Sequence, residues 1–158
     1  MGSVRLKYHV PAAFTLVEMV MCMVIMVIFT AIAAPKYAQS IANYRVDVAA
    51  KRLAGDLNWA RTLARTSSTS QSVVFNSTSS TYTLSNINNP DNPSQIYSVN
   101  LLGDPYKSTM TSVSFNGATT LTFDGFGTPS ASGTAVLTCG SATKTITVNA
   151  DDGAVSVQ

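Results

Sequence analysis

Histidine is almost missing from this chain, and cysteine is scarce. The 158 residues hold one histidine, His9, and two cysteines, Cys22 and Cys139. Past residue 9 no Ser/His/Asp arrangement can form, and no cysteine–histidine cluster can hold zinc. Cys22 lies inside an apolar run and Cys139 near the C-terminus, so no intrachain disulfide is expected and the cysteine count does not fix a redox compartment. Both read as small apolar fillers. Charge is also scarce, at 11 % of the chain against 46 % hydrophobic residues. Base of one sign is short in the C-terminal part. Eight of the ten lysines and arginines precede Thr66; after it come only Lys107 and Lys144, against Asp91, Asp104, Asp124, Asp151 and Asp152, a balance of −3. A nucleic-acid partner needs a basic face against phosphate, so none is expected.

Phosphate and cation sites are similarly short of material. Gly125 and Gly127 have no Lys-Ser/Thr after them and no strand-to-helix context, so they do not form a phosphate loop. Asp151-Asp152 is one acidic pair in a turn, which is ordinarily solvated rather than a cation site. No catalytic residue, no metal site and no cofactor is expected.

A long apolar run is present. Phe14 to Ala34 spans 21 residues with one charge, Glu18. At 1.5 Å per residue it reaches roughly 31 Å, the thickness of a bilayer's hydrocarbon core. Arg5 and Lys7 precede it, with no acid among the first thirteen residues, which favours a cytoplasmic N-terminus and a single pass. A secretory signal peptide cut after Ala31-Ile32-Ala33 is the alternative, but the run is too long and a carboxylate in its first turn is out of place.

The helix is expected to continue past the membrane. Pro35 removes one backbone donor and should kink or loosen it. Beyond it Tyr37, Ile41, Tyr44, Val48, Leu53, Leu57, Ala60 and Ala64 recur at steps near three and four and predict an apolar face. Lys36, Arg45, Asp47, Lys51, Arg52, Asp56, Arg61 and Arg65 fill most of the rest, a solvated face. Gly55 is a weak point of about 1 kcal/mol relative to alanine. The helix should fray near Thr66 to Ser70; from Phe14 to Thr66 it would measure about 80 Å. Trp59 reads as a packing anchor, and Met19, Met21, Met23 and Met26 as adaptable, lipid-facing surface.

The remainder reads as short strands: Ser72–Phe75, Thr81–Leu84, Gln95–Leu101, Ser112–Phe115, Thr119–Phe123, Thr134–Cys139, Lys144–Val148 and Ala154–Val157. Asn116-Gly117 predicts a hairpin between two of them, and Gly140-Ser141 and Asp152-Gly153 predict further turns. Asn86 to Pro93 predicts an irregular surface loop. The expected fold is α+β, a long N-terminal helix packed on an antiparallel β-sheet head.

Ala13-Phe14-Thr15-Leu16-Val17-Glu18, the apolar run and Pro35 resemble the N-terminus of type IV pilins and type II secretion pseudopilins. Phe123-Asp-Gly-Phe-Gly-Thr-Pro, the two strands after it and the closing Gly153-Ala-Val-Ser-Val resemble the H-type minor pseudopilins, the GspH/FimT family. The resemblance implies a leader over residues 1–13, a transmembrane half-helix over 14–34, an amphipathic half over 35–66 and a periplasmic head over 67–158. It implies a prepilin peptidase cut between Ala13 and Phe14 and N-methylation of Phe14. Alanine departs from the family's usual glycine before the cut but is the smallest alternative to it, so cleavage is still expected. Phe14, Thr15, Glu18 and Pro35 become assembly residues, with Glu18 pairing a neighbour's N-terminal amine and setting axial register. A carboxylate in a bilayer costs at least about 2.5 kcal/mol, which is why such residues mark function. The implied partners are other pilins or pseudopilins, the peptidase, an inner-membrane assembly platform and the lipid bilayer of a bacterial inner membrane. The implied role is a structural subunit, not an enzyme, at the tip or in assembly initiation of a secretion pseudopilus or type IV pilus. The alternative is a surface pilus subunit that binds a ligand, a surface or DNA. The tail from Asp151 to Gln158 has no arginine or lysine, so the DNA uptake linked to a basic loop in some FimT-like proteins is not carried over.

Overall fold

A computed structural model describes residues 14–90 and 92–158. The leader, including Ala13, and Asp91 lie outside the described residues. The chain divides into two compact units, one ending at Tyr37 and one running from Ala38 to Gln158. Helix α1, Leu16–Ser67, contributes to both, and it runs on across Pro35, which has no backbone N–H to donate. In the first unit the helix is apolar and exposed from Leu16 onward, and it is long and apolar enough to cross a membrane.

In the second unit the helix packs on two antiparallel sheets rather than one. The first sheet contains β1 (Gln71–Asn76), β2 (Thr81–Asn89), β3 (Asn92–Asn100) and β5 (Thr120–Phe123) in the order β3-β2-β1-β5. The second contains β4 (Thr109–Phe115), β6 (Gly133–Cys139), β7 (Ala142–Val148) and β8 (Val155–Val157) in the order β4-β6-β7-β8. Strand alternation sends Val73 and Phe75, Leu121 and Phe123, and Ile146 and Val148 inward, where they join Val46, Ala49, Ala50, Leu53, Leu57, Ala60 and Ala64 of the helix in one core. The helix contributes mostly alanines there, which lets its backbone approach the sheets closely.

Half of the expected helical face is elsewhere. Leu53, Leu57, Ala60 and Ala64 are buried as expected, but Tyr37 and Tyr44 are 71 % and 69 % exposed. The helical repeat explains the difference. Tyr44 and Leu53 are nine residues apart, about 900° at 3.6 residues per turn, which puts them on opposite sides. The stripe that begins at Tyr37 therefore does not continue into the one that ends at Ala64.

Two further expectations change. Asn86–Pro93 is not an irregular loop: β2 continues to Asn89 and β3 starts at Asn92. Ile87 turns into the core, and register shifts on either side of Asn88 accommodate the extra residues as bulges. Pro93 is tolerated because β3 is an edge strand, where a missing N–H costs no ladder bond. Asn116-Gly117 does form a tight turn, with φ of 51° and 85°, closed by a Phe115–Ala118 bridge. However, β4 and β5 then part into different sheets, so the turn is a corner and not a hairpin. Gly140-Ser141 joins β6 to β7, with Cys139 opposite Ala142, and the Asp152-Gly153 turn leads from β7 to β8.

Candidate functional site

The start of the helix is built from its own sequence. Thr15 and Glu18 have the spacing of a capping box, and Thr15 Oγ1 accepts a hydrogen bond from the Glu18 amide at 3.2 Å. The Met19 amide bonds to the Thr15 carbonyl at 3.2 Å. Thr15 thus satisfies an amide that the first helical turn leaves without an intrahelical partner, inside a stretch long and apolar enough to cross a membrane. Glu18 sits in that first turn, where the helix dipole favours a negative charge. Its side chain is exposed and makes no ion pair among the described residues. Phe14 is exposed as well, and Met19, Met21, Met23 and Met26 point outward with it. Cys22 and Cys139 are free thiols.

In the head, the polar residues of the helix do more than face solvent. The expectation placed Asp56 on the solvated side, yet it is only 7 % exposed. Its Oδ2 accepts hydrogen bonds from Tyr82 Oη at 2.5 Å and Tyr97 Oη at 3.0 Å, and Arg52 Nε lies 3.2 Å from it. Arg52 also donates to Tyr97 Oη, and its guanidinium carbon lies 5.9 Å from the centre of that ring. Trp59 packs edge-on against Tyr97, with ring centroids 5.4 Å apart. This network ties the helix to β2 and β3. Burial raises the Tyr82 hydroxyl well above its ordinary value, and the Asp56 charge adds to the effect; Tyr97 is raised for the same reasons. Burial works against the Arg52 guanidinium, but its bond to Tyr97 and the charge of Asp56 outweigh that and hold it above its ordinary value.

A readable signal for Asp56 was present. It follows Leu53 by three residues and precedes Ala60 by four, which puts it on the buried stripe. Tyr82 and Tyr97 occupy inward positions of their strands and supply the partners that a buried carboxylate requires.

The C-terminal end of α1 meets the Phe123–Pro129 loop. A Cβ on Gly125 would come within 2.9 Å of the Ser68 backbone, and one on Gly127 within 2.6 Å of the Arg65 stem, so both positions need glycine. Gly127 also has a φ of 78°. Arg61, expected on the solvated face, donates to the Asp152 carbonyl and holds the last turn against the helix. The loop and turn that carried the resemblance are therefore packing elements of the helix end.

A helix that is apolar and exposed in one unit and seated on a two-sheet head in the other is the architecture of a pilin-like subunit. The family described as type II transport protein GspH matches over residues 49–152, from the buried half of α1 through β1 to β7 and up to the Asp152 turn. The chain belongs to the GspH family, a structural family of pilin-like minor pseudopilins of type II secretion, whose members associate with other pseudopilins. No curated protein and no solved structure matches.

Proposed function

We propose that this chain is a minor pseudopilin at the tip, or in the initiating complex, of a type II secretion pseudopilus in a bacterial inner membrane. The observation that carries the reading is the family match over residues 49–152, most of the packed head. The exposed apolar helix from Leu16 supports an anchor, and Arg5 and Lys7 ahead of it support a cytoplasmic N-terminus with the head in the periplasm. On this reading a prepilin peptidase cuts between Ala13 and Phe14, Phe14 is N-methylated, and an inner-membrane platform draws the subunit from the bilayer into the filament. Glu18 then pairs with the terminal amine of a neighbour and sets register, with Thr15 holding the first turn and Pro35 letting the helix adjust where the anchor meets the amphipathic half. Secretion is favoured over a surface pilus by the same match, and the 86–93 segment offers a ligand-binding reading no free loop.

Mass spectrometry of the mature N-terminus tests the processing: methylated Phe14 is expected, and a terminus after Ala33 would overturn the reading. Subunit stoichiometry in purified pseudopili tests the position. A few copies per filament are expected, and a one-to-one ratio with the major subunit would exclude a tip role.

A further inference from the structure

The charges of the head sort by position along α1. Lys51 pairs with Asp47 at 2.6 Å, Arg52 with Asp56 at 3.2 Å and Lys107 with Asp104 at 3.2 Å. At the far end of α1, Arg61 and Arg65 stand beside the Asp124 loop and the Asp151-Asp152 turn, two bases to three acids. At the end where α1 enters the head the sign is opposite. Arg45 and Lys144 are there, and neither makes an ion pair among the described residues. Lys144 is brought to this end by the β6–β7 turn, where a Cβ on Gly140 would lie 3.8 Å from Ala42. The acidic C-terminal part of the sequence thus places its one unpaired lysine beside the first turns of the head's helix.

Lys144 borders a groove of about 470 Å³ whose other lining residues are Asn43, Tyr44, Val46, Asp47 and Thr143. Val46 is buried, so the accessible lining is polar: the Asn43 amide, the Thr143 hydroxyl and the exposed Tyr44. Asp47 is the groove's one acid, and Lys51 already neutralises it. Lys144 is left uncompensated among hydrogen-bond donors, which suits an anion. The place of the groove on the chain selects the anion. Ten residues of α1 separate Tyr44 from Ala34, the end of the apolar run, so Tyr44 lies at most about 15 Å past the hydrocarbon edge at any tilt of the helix. Headgroups fill roughly the first 6 Å of that distance. A free charge acts over a Debye length of about 8 Å, so Arg45 and Lys144 are within range of lipid phosphates. Exposed tyrosine is also a side chain favoured at this depth.

We infer that the groove of Asn43, Tyr44, Thr143 and Lys144 takes the phosphate headgroup of an anionic phospholipid from the bilayer that holds the anchor. Lys144 meets the phosphate, and Arg45 adds to the attracting field. The site rests on the anchored-subunit reading and deepens it: it tethers the head to the leaflet until the subunit leaves the bilayer. The test places the photo-reactive p-benzoylphenylalanine at Tyr44 of the full-length chain, in nanodiscs of phosphatidylglycerol and phosphatidylcholine in equal parts, and maps the adducts by mass spectrometry. Lipid adducts at position 44 are expected to favour phosphatidylglycerol by at least about fivefold, the effect of one basic residue near a lipid surface. Lys144→Gln should bring the two lipids close to equal yield, and Lys144→Arg should keep the preference. Arg65→Gln, at the far end of α1, should leave it unchanged. Equal yields in the unsubstituted groove, no lipid adduct, adducts only with a second copy, or a preference that survives Lys144→Gln overturns the site. Loss of the preference in Lys144→Arg as well counts against a role for the charge. Gel filtration of the nanodiscs reads the anchor separately. A chain that enters them without the preferred adduct sinks the headgroup site alone, and a chain that does not enter them sinks the anchored-subunit reading and the site with it.

Discussion

Tyr82 Oη lies 2.5 Å from Asp56 Oδ2, across the boundary between the helix and β2, and both residues are buried. A hydrogen bond to a charged acceptor in such a place contributes about 1.5–3 kcal/mol. Tyr82→Phe is therefore expected to lower the unfolding free energy of the head by about that amount. Asp56→Ala should cost more than Tyr82→Phe, because it strands two tyrosine hydroxyls and removes the partner of Arg52. The chain's one tryptophan, Trp59, touches Tyr97 and reports the transition. Urea unfolding of the detergent-solubilised full chain, followed by Trp59 fluorescence, measures both variants. Equal stability of Tyr82→Phe and the unsubstituted chain would mean the bond contributes nothing.

The same pair predicts a pH dependence. Tyr82 holds its proton in the folded head above its ordinary value of 10.0, while in the unfolded chain it titrates near that value. Above it the folded state binds more protons than the unfolded state, so stability falls as pH rises. The contribution is complete below the ordinary value and is lost as pH climbs past it, at about 1.4 kcal/mol for each unit of pH per retained proton. Urea midpoints between about pH 8 and pH 11.5 should be flat at first and then decline. Tyr82→Phe should decline less steeply, and the difference between the two curves isolates this residue from the other tyrosines.

Glycines with the same name should respond with opposite signs. A Cβ on Gly55 would meet nothing within 4 Å, and the residue lies inside α1. Gly55→Ala is expected to stabilise the head by about 0.5–1 kcal/mol. A Cβ on Gly133 would come within 2.1 Å of the Ser114 carbonyl oxygen on the paired strand β4. Backbone must move to admit it, and Gly133→Ala is expected to destabilise by at least about 2 kcal/mol. Thermal unfolding of the two variants side by side checks the signs. Two changes in the same direction would refute the contrast.

Local chemistry explains what the sequence made legible. The anchor was readable because one property, an apolar run of bilayer length, needs no tertiary context. Strand positions were readable because alternation is local, and all eight expected strands are present with ends shifted by a few residues. The two-sheet arrangement was not, because Asn116-Gly117 specifies a tight turn and says nothing about which neighbours β4 and β5 then choose. Asn86–Pro93 was misread because its composition signals a loop, while the burial of Ile87 and the edge position of β3 prevail over it. Asp56 was misread by residue type although its spacing placed it inside, and only the two distant tyrosines reveal how its charge is accommodated. The proposal of an assembly role for Glu18 comes from resemblance alone, since a carboxylate at the third position of a helix is by itself an ordinary capping residue.

Separating those two roles of Glu18 gives the last prediction. Glu18 stands at the capping-box position of the first turn, and the hydroxyl of Thr15 is the group that accepts its amide. Thr15→Val removes that acceptor and should cost about 1 kcal/mol of local helix stability, leaving insertion and secretion close to normal. Glu18→Gln keeps the size and polarity of the side chain and removes only its charge. If Glu18 pairs with a neighbour's terminal amine, Glu18→Gln and Glu18→Ala should both insert in the membrane normally, as read by carbonate extraction, and both should fail to enter pseudopili. If Glu18 only caps the helix, Glu18→Gln should assemble as well as Thr15→Val does. Secretion assays on the three variants in a deletion strain decide between the outcomes, and full secretion by Glu18→Ala would remove the assembly role altogether.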